Sequence, residues 1–210
     1  ALSEFIPPEE RVITIEDSAE LQIHGIENLV RMEVRQADGD GVSNVTLRDL
    51  IRTSLRMRPD RIIVGEVRGE EALDMIQSMN TGHDGSLSTG HANSPQDMLS
   101  RLETMALFAS DIPIQAIRKQ IASSIDIIVQ LERLRDRSRR VTAIAEVLDC
   151  TEDAYILNPI FEFHEQDNLV MESSSYGDIP ERVVGQLERT GYHLMHRRKL
   201  HAAALESAEI

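Results

Sequence analysis

Cysteine and long apolar runs are nearly absent from this chain of 210 residues. The single Cys150 cannot form an internal disulfide, and we interpret it as a small buried side chain of a protein in a reducing compartment. No run approaches the roughly eighteen apolar residues of a membrane-spanning helix, which predicts a soluble protein. The formal net charge of −14 argues against a nucleic-acid groove, because binding a phosphate backbone relies on clustered Lys and Arg.

Lysine is also scarce, and its positions exclude one common nucleotide-binding element. Lys119 and Lys199 are the only lysines, and each follows an arginine, so the sequence contains no Gly-Lys dipeptide. A phosphate-binding loop of the form G-x-x-x-x-G-K-[ST] requires one. Residues 1–8 read ALSEFIPP, which is typical of the last turns of a helix halted by two prolines. We therefore expect a fragment that begins just downstream of such a loop.

The most informative segment that is present spans residues 58–69 and reads RPDRIIVGEVRG. Its unbroken β-branched run predicts a buried strand of a parallel sheet. Ligands of open α/β sheets bind outside the carboxyl ends of such strands, so Glu66 would face a ligand. From this segment alone, an ordinary surface Glu after a core strand remains an equal alternative.

The same pattern occurs twice more along the chain. Residues 11–15 (RVITI) are followed by Glu16, and residues 86–89 (SLST) are followed by Gly90 and His91. If these strands are parallel neighbours, Glu16, Glu66 and His91 project from one edge of one sheet. Phosphoryl transfer needs carboxylates that direct Mg²⁺ and a group that positions water or senses phosphate, and this edge would supply both.

Three motifs resemble those of the type II/IV secretion-system ATPases. Residues 14–21 (TIEDSAEL) are similar to the Asp box of that family, residues 62–69 (IIVGEVRG) to its Walker B motif, and residues 81–94 (TGHDGSLSTGHANS) to its His box. They occur in the family's order within residues 12–163. The sequence most resembles the CpaF-like members, which power assembly of tight-adherence pili. In the family, a Walker A loop would lie immediately before Ala1.

This resemblance implies an α/β fold, namely a RecA-like P-loop NTPase core with a mostly parallel sheet that is truncated at its N-terminus. We expect the motor domain to occupy residues 1–163 and a small C-terminal helical appendage to occupy residues 164–210. Apolar periodicity and capping signals independently predict helices near residues 45–57, 70–79, 94–108, 114–123 and 180–189, and strands near residues 125–131, 141–148 and 154–163. The tail over residues 196–210 is predicted as a polar helix or a frayed end.

The resemblance also implies an activity, cofactors and partners. The complete protein is expected to be an ATPase that uses ATP and Mg²⁺ and converts hydrolysis into subunit motion, whereas this chain alone is expected to be inactive. The expected partners are further copies of the same chain in a hexamer and an inner-membrane platform protein. The expected location is the cytoplasmic face of the inner membrane, and no nucleic acid is expected.

Site residues follow from the matched motifs. Glu66 would polarise the attacking water as the catalytic base, and Glu16 would act beside it; both would hold Mg²⁺ through water. Asp17 and Glu20 would support these carboxylates at the nucleotide, and His91 would report the γ-phosphate.

Several arginines compete for the role of an arginine finger that reaches the phosphates. A regular stripe, Arg48, Arg52 and Arg56, recurs every four residues of a predicted helix, and a solvated face is its favoured interpretation. The rival nucleotide-binding candidates are Arg68, Arg31 and Arg35. The sequence does not choose among these six.

The sequence gives less indication of a chemical role for His24 and His83. His83 lies at the opposite end of the predicted strand from His91, and we expect it to make a structural or intersubunit hydrogen bond. A zinc site built from His24, His83 and His91 is disfavoured, because no cysteine partner and no tight H-E-x-x-H spacing accompany them.

Two alternatives to the pilus motor remain. The chain could be a non-hydrolysing oligomerisation or interaction module built on an ATPase fold. It could also belong to a type IV secretion ATPase that exports DNA or effectors, although residues 98–105 and 133–140 look more like the pilus branch.

Overall fold

The structure is a computed structural model, and it describes residues 2–37, 43–166 and 182–197. The chain forms two compact units. The first comprises residues 1–93 and 97–124, and the second comprises residues 94–96 and 125–210.

The first unit is an α/β domain built on a four-stranded parallel sheet with strand order β2-β1-β3-β4. Its elements are, in chain order, a 3₁₀ turn Leu2–Phe5, β1 Arg11–Glu16, β2 Asn28–Glu33, α1 Leu47–Ser54, a 3₁₀ turn Leu55–Met57, β3 Arg61–Val64, α2 Glu71–Met79, β4 Leu87–Ser88, α3 Pro95–Ala109 and α4 Ile114–Ser124. The predicted fold class is confirmed, and the four helices expected in this region are all present.

Burial explains why the apolar runs become parallel strands. Every residue of β1 after Arg11 is buried, and Ile62, Ile63 and Val64 of β3 are buried as well. Strands covered on both faces read as continuous apolar runs, which is the pattern that identified them. Helix α1 begins at a capping box, in which Thr46 and Asp49 exchange side-chain-to-backbone hydrogen bonds.

The register brings the carboxyl ends of the strands to one edge of the sheet. Ile15 pairs with Val64, and Val64 pairs with Ser88. The residues that follow each of these pairs therefore emerge from three neighbouring strands. This arrangement places the end of β1, the turn after β3 and the turn after β4 side by side, as the sequence pattern predicts.

The second unit contains a four-stranded antiparallel sheet with order β5-β6-β7-β8. Its strands are β5 Ile127–Arg133, β6 Arg139–Cys150, β7 Tyr155–Glu165 and β8 Gly185–Arg189. Glu146 on β6 is fully buried, and its carboxylate accepts hydrogen bonds from the backbone N–H groups of Met195 and His196 and from Nδ2 of Asn158. A buried carboxylate is tolerated here because several donors satisfy it.

One expectation for the C-terminal region is wrong. The helix predicted over residues 180–189 is instead strand β8, which pairs with β7 from Gly185 to Arg189. The short segment has no decisive period, and the long strand β7 supplies a pairing edge that the sequence does not reveal. The domain boundary after residue 163 stays a prediction; that position falls within β7, and the two compact units divide at residues 124 and 125. The predicted tail lies outside the described residues beyond residue 197.

None of the helices in the described ranges has both the length and the apolar content that crossing a membrane requires.

Candidate active site

Glu66 lies in the turn that follows β3, at the carboxyl edge of the parallel sheet. Its Oε1 atom is 3.1 Å from Nε2 of His91, which follows the neighbouring strand β4. Its Oε2 atom accepts a hydrogen bond from the guanidinium of Arg68. The Glu66 side chain is only 20% exposed, whereas that of His91 is 81% exposed. The structure therefore joins the ends of two adjacent strands through one carboxylate.

Arg68 stabilises the charged form of this carboxylate. Its hydrogen bond to Glu66 lowers the pKa of Glu66, and the charges of Arg68, His91 and Arg101 act in the same direction against partial burial. The pKa of Arg68 is raised, first by the hydrogen bond that its guanidinium donates to Glu66. Glu66 is thus a stabilised anion in this arrangement, with oxygen atoms that face cationic groups.

Glu16 ends the neighbouring strand β1 and is almost fully buried, at 6% exposure. Its Oε1 atom accepts hydrogen bonds from the backbone N–H groups of Glu20 at 3.0 Å and Leu21 at 2.9 Å. These bonds fix the carboxylate against the loop that leaves β1. Glu16 also packs on the turn of Glu66, since a Cβ atom added at Gly65 would lie 3.0 Å from Cγ of Glu16.

Backbone and hydroxyl hydrogen bonds hold the turns after β3 and β4 together. The Gly65 N–H donates to the carbonyl of Ile15 at 2.8 Å, and the Val67 N–H donates to the carbonyl of Thr89 at 3.0 Å. The Thr89 hydroxyl donates to the carbonyl of Gly65 at 2.6 Å. Sequence reasoning did not single out Thr89, although a hydroxyl at the end of a strand is a recognisable candidate for such a bond.

Arg101 is a second residue that sequence reasoning missed. It lies on α3, and its guanidinium donates to the backbone carbonyl of His91 at 3.0 Å. No motif marks it, because the contact depends on how α3 returns towards the sheet edge.

Of the acidic residues predicted to support the site, Asp17 and Glu20 lie in the loop after β1. Both raise the pKa of Arg68, although less than Glu66 does. The structure therefore places their charges around the same guanidinium. Arg68 is the predicted arginine that the structure brings to Glu66.

Arg31 and Arg35 occupy different positions. Arg31 pairs with Thr14 in the sheet, two residues before the carboxyl edge, and its guanidinium donates to the carbonyl of Ile23 at 3.3 Å. Arg35 forms an isolated bridge with Val45, beyond the end of β2. Neither contacts Glu66 in this structure, so their assignment to nucleotide remains a prediction.

The arginine stripe on α1 joins two helices more closely than a purely solvated face would. Nε of Arg48 lies 2.7 Å from Oδ2 of Asp74 on α2, and Nε of Arg52 lies 2.8 Å from Oδ1 of the same carboxylate. Asp74 is only 7% exposed. Arg56 is exposed, as the solvated interpretation has it.

His83 lies in the turn that follows α2. Its Nδ1 atom is 3.1 Å from the carbonyl oxygen of Ser78 and 3.2 Å from the hydroxyl of Thr81. These contacts are structural, whereas His91 contacts Glu66. Across the described residues, no three His, Cys, Asp or Glu side chains come together as a metal site.

The donor chemistry of the two carboxylates is of the kind that a hydrated magnesium ion prefers. Mg²⁺ prefers oxygen ligands, keeps several waters and is commonly bound through one or two carboxylates together with substrate phosphates. Glu16 and Glu66 supply two carboxylates at the ends of adjacent strands, with Gly65 in contact with Glu16. This donor set suits an ion held through water, not one enclosed by protein ligands.

A parallel sheet with a carboxylate and a histidine at its carboxyl edge is typical of open α/β proteins, which bind their ligands at that edge. The chain belongs to the type II/IV secretion system protein family, which it matches over residues 1–174. It is 39% identical over 140 residues to a putative conjugal transfer protein of Mycobacterium tuberculosis, covering 67% of this chain and 39% of that protein.

Two further comparisons agree with this assignment. Over 143 residues the chain is 38% identical to the type IV secretion system protein PtlH of Bordetella pertussis, covering 67% of this chain and 42% of PtlH. The crystal structure of the VirB11 ATPase from the Brucella suis type IV secretion system, in complex with sulphate, is similar with a TM-score of 0.61 and 32% identity. That similarity covers 69% of this chain and 42% of the VirB11 chain. The chain thus spans about two fifths of these relatives.

Proposed function

We propose that the complete protein containing this chain hydrolyses ATP and acts as a motor subunit of a secretion or pilus-assembly machine. The observation that carries the proposal is the placement of Glu66. It lies at the carboxyl edge of a parallel sheet, between His91 and Arg68. Ligands bind at this edge in open α/β sheets, and family membership supports nucleotide as the ligand.

In this proposal, Glu66 orients and polarises the water that attacks the γ-phosphate. A general base must be partly accessible and within hydrogen-bond reach of its water, and the 20% exposure of Glu66 meets the first condition. Arg68 and His91 hold the carboxylate from two sides. When phosphate enters, these cationic or polarisable groups are positioned to interact with it, which would free Glu66 to contact water.

Glu16 has a supporting role. Its hydrogen bonds to Glu20 and Leu21 fix its orientation, so it can hold ordered water or a hydrated ion without moving. Glu16 and Glu66 would together hold Mg²⁺ through water. A bound Mg²⁺ supplies charge neutralisation at the phosphates.

The phosphate cradle, the oligomer and the partners lie outside these observations and belong to the proposal. We infer a phosphate-binding loop in the complete protein, a homohexamer and an inner-membrane platform protein on the cytoplasmic side. ATP and Mg²⁺ are the proposed ligands. Asp17, Glu20, Arg31 and Arg35 are the proposed nucleotide-binding residues beside Arg68 and His91.

Steady-state hydrolysis tests this proposal. The complete protein should release phosphate from MgATP, and Glu66→Gln should reduce turnover by about 10²- to 10⁴-fold while nucleotide still binds. Glu16→Gln should reduce turnover less, because Glu16 does not contact the attacking water in this proposal. Absence of hydrolysis by the purified wild-type oligomer would instead support the non-hydrolysing interaction module.

A second candidate function has its own support. The relatives described above are named as conjugal transfer and type IV secretion proteins, which favours a machine that exports DNA or effectors over the CpaF-like pilus machine. Deleting the gene separates the two functions. Loss of surface pili with intact conjugation and secretion would support the pilus motor, and the reverse result would support export.

A further inference from the structure

A side chain of α3 holds the backbone carbonyl of His91. The guanidinium of Arg101 donates a hydrogen bond to this carbonyl at 3.0 Å, while the imidazole of the same residue lies 3.1 Å from Glu66. His91 therefore sits between a helix and the candidate catalytic carboxylate. Because the hydrogen bond is to the backbone, it fixes the position of the residue and leaves the ring available to the site.

A second contact on the same face of α3 strengthens this hold. Met98 and Arg101 are three residues apart, so both side chains lie on one side of the helix. The methyl carbon of Met98 packs so closely on Gly90 that an added Cβ atom there would overlap it. A side chain at residue 90 would therefore require the end of the Met98 side chain to shift.

The helix itself is anchored firmly enough to act as a support. Glu103 on α3 and Arg118 on α4 form a nearly buried ion pair, with Nε of Arg118 2.7 Å from Oε1 of Glu103. The side chain of Arg118 is 14% exposed and that of Glu103 is 9% exposed, so the pair has little contact with solvent. A functional residue is held well when its supporting groups are themselves fixed by packing and hydrogen bonds.

We propose that Arg101 is a positioning residue that holds His91 against Glu66 through the backbone of His91. This inference rests on the proposed ATP hydrolysis and extends it to a residue outside the three matched motifs. The charge of Arg101 also acts on Glu66 directly, but it is the smallest of the causes that lower the pKa of that carboxylate. The effect of Arg101 on turnover should therefore depend mainly on the presence of the His91 ring.

A double-mutant cycle in the complete protein tests this dependence. Arg101→Ala should lower kcat by about 10- to 100-fold with KM changed by no more than about twofold, because a displaced group near the chemistry costs rate more than binding. Arg101→Lys should recover part of the loss.

In a His91→Ala background, Arg101→Ala should change kcat by less than about twofold. Lys119→Ala, which removes an exposed cation from α4, is the matched control and should leave kcat and KM unchanged.

A readout that needs no hydrolysis completes the test. Amide hydrogen exchange in residues 89–92 should be at least about tenfold faster in Arg101→Ala than in wild type, with Arg101→Lys intermediate and Lys119→Ala unchanged. Unchanged exchange in Arg101→Ala would overturn the positioning role. An equal loss of kcat with and without the His91 ring, or a loss confined to KM, would also overturn it. A wild-type protein that lacks ATPase activity but shows the exchange difference would refute the proposed function and leave the positioning contact standing.

Discussion

Glu66 and His91 follow neighbouring parallel strands, and the Oε1 atom of Glu66 lies 3.1 Å from the Nε2 atom of His91. Twenty-five positions separate them in the sequence, so the sheet register creates the contact. This contact brings together two motifs, each of which is only a weak indication of function when taken alone. The same Glu66 carboxylate also accepts a hydrogen bond from the guanidinium of Arg68.

Gly65 provides a test of the packing between β1 and β3. A Cβ atom at this position would lie 3.0 Å from Cγ of Glu16, which is closer than ordinary van der Waals contact. We expect Gly65→Ala to destabilise the complete protein slightly and Gly65→Val to destabilise it by about 1 to 3 kcal/mol, since overpacking displaces a fixed neighbour. Urea unfolding and ATPase assays should show stability and kcat falling together with side-chain size. Wild-type values for Gly65→Val would contradict the close packing.

Asp74 provides a test of the contact between α1 and α2. Its carboxylate is nearly buried and binds both Arg48 and Arg52, whose side chains are 29% and 61% exposed. We expect Asp74→Ala to cost about 1 to 3 kcal/mol of unfolding free energy, because it leaves Arg48 without its buried partner. Arg52→Ala, which removes a largely exposed partner, should cost less than about 1 kcal/mol. Urea denaturation of both variants gives the comparison, and the opposite ranking would argue against a structural clamp.

The hairpin between β5 and β6 should make stability depend on pH. Hydrogen bonds from the hydroxyl and N–H of Ser138 and from the N–H of Val183 lower the pKa of Asp136 from 3.8 to about 2. A carboxylate with a lowered folded-state pKa stabilises the fold above its unfolded pKa, and this contribution is lost as pH falls through the folded value. Asp136 should therefore contribute fully above about pH 4 and progressively less towards pH 2.

An NMR titration of the Asp136 carboxyl carbon measures this pKa directly. A midpoint near the ordinary value would contradict the hydrogen-bond network. In denaturation experiments, Asp136→Asn should flatten the pH dependence of stability between about pH 4 and pH 2 relative to wild type. An unchanged pH dependence in that variant would assign it to other carboxylates.

The parallel sheet could be predicted because strands that are buried on both faces have continuous apolar sequences. Residues 11–15 and 61–64 have this pattern, and the polar residue after each strand marks the edge where ligands bind. The capping pair Thr46 and Asp49 likewise fixes the start of α1 by local chemistry. These features depend on residues that are close in sequence.

The features that sequence reasoning missed depend on distant partners. Strand β8 forms because β7 offers an edge for it, although its own residues do not exclude a helix. Arg101 reaches His91 only after α3 has packed beside the sheet edge. The arginines of α1 have the sequence pattern of a solvated face, and only the packing of α2 against α1 brings Asp74 to Arg48 and Arg52. In each case, tertiary packing determines a contact that the local sequence pattern does not specify.

The most direct test of the account is a single-turnover measurement of γ-phosphate release from MgATP prebound to the complete protein. We predict that Glu66→Gln lowers this rate by about 10²- to 10⁴-fold without reducing the amount of bound ATP, because the base is lost and the binding site is kept. Glu70→Gln, four residues away and paired with Arg48, should react at the wild-type rate. A Glu66→Gln rate within about twofold of wild type would contradict the assignment of Glu66 as the catalytic carboxylate.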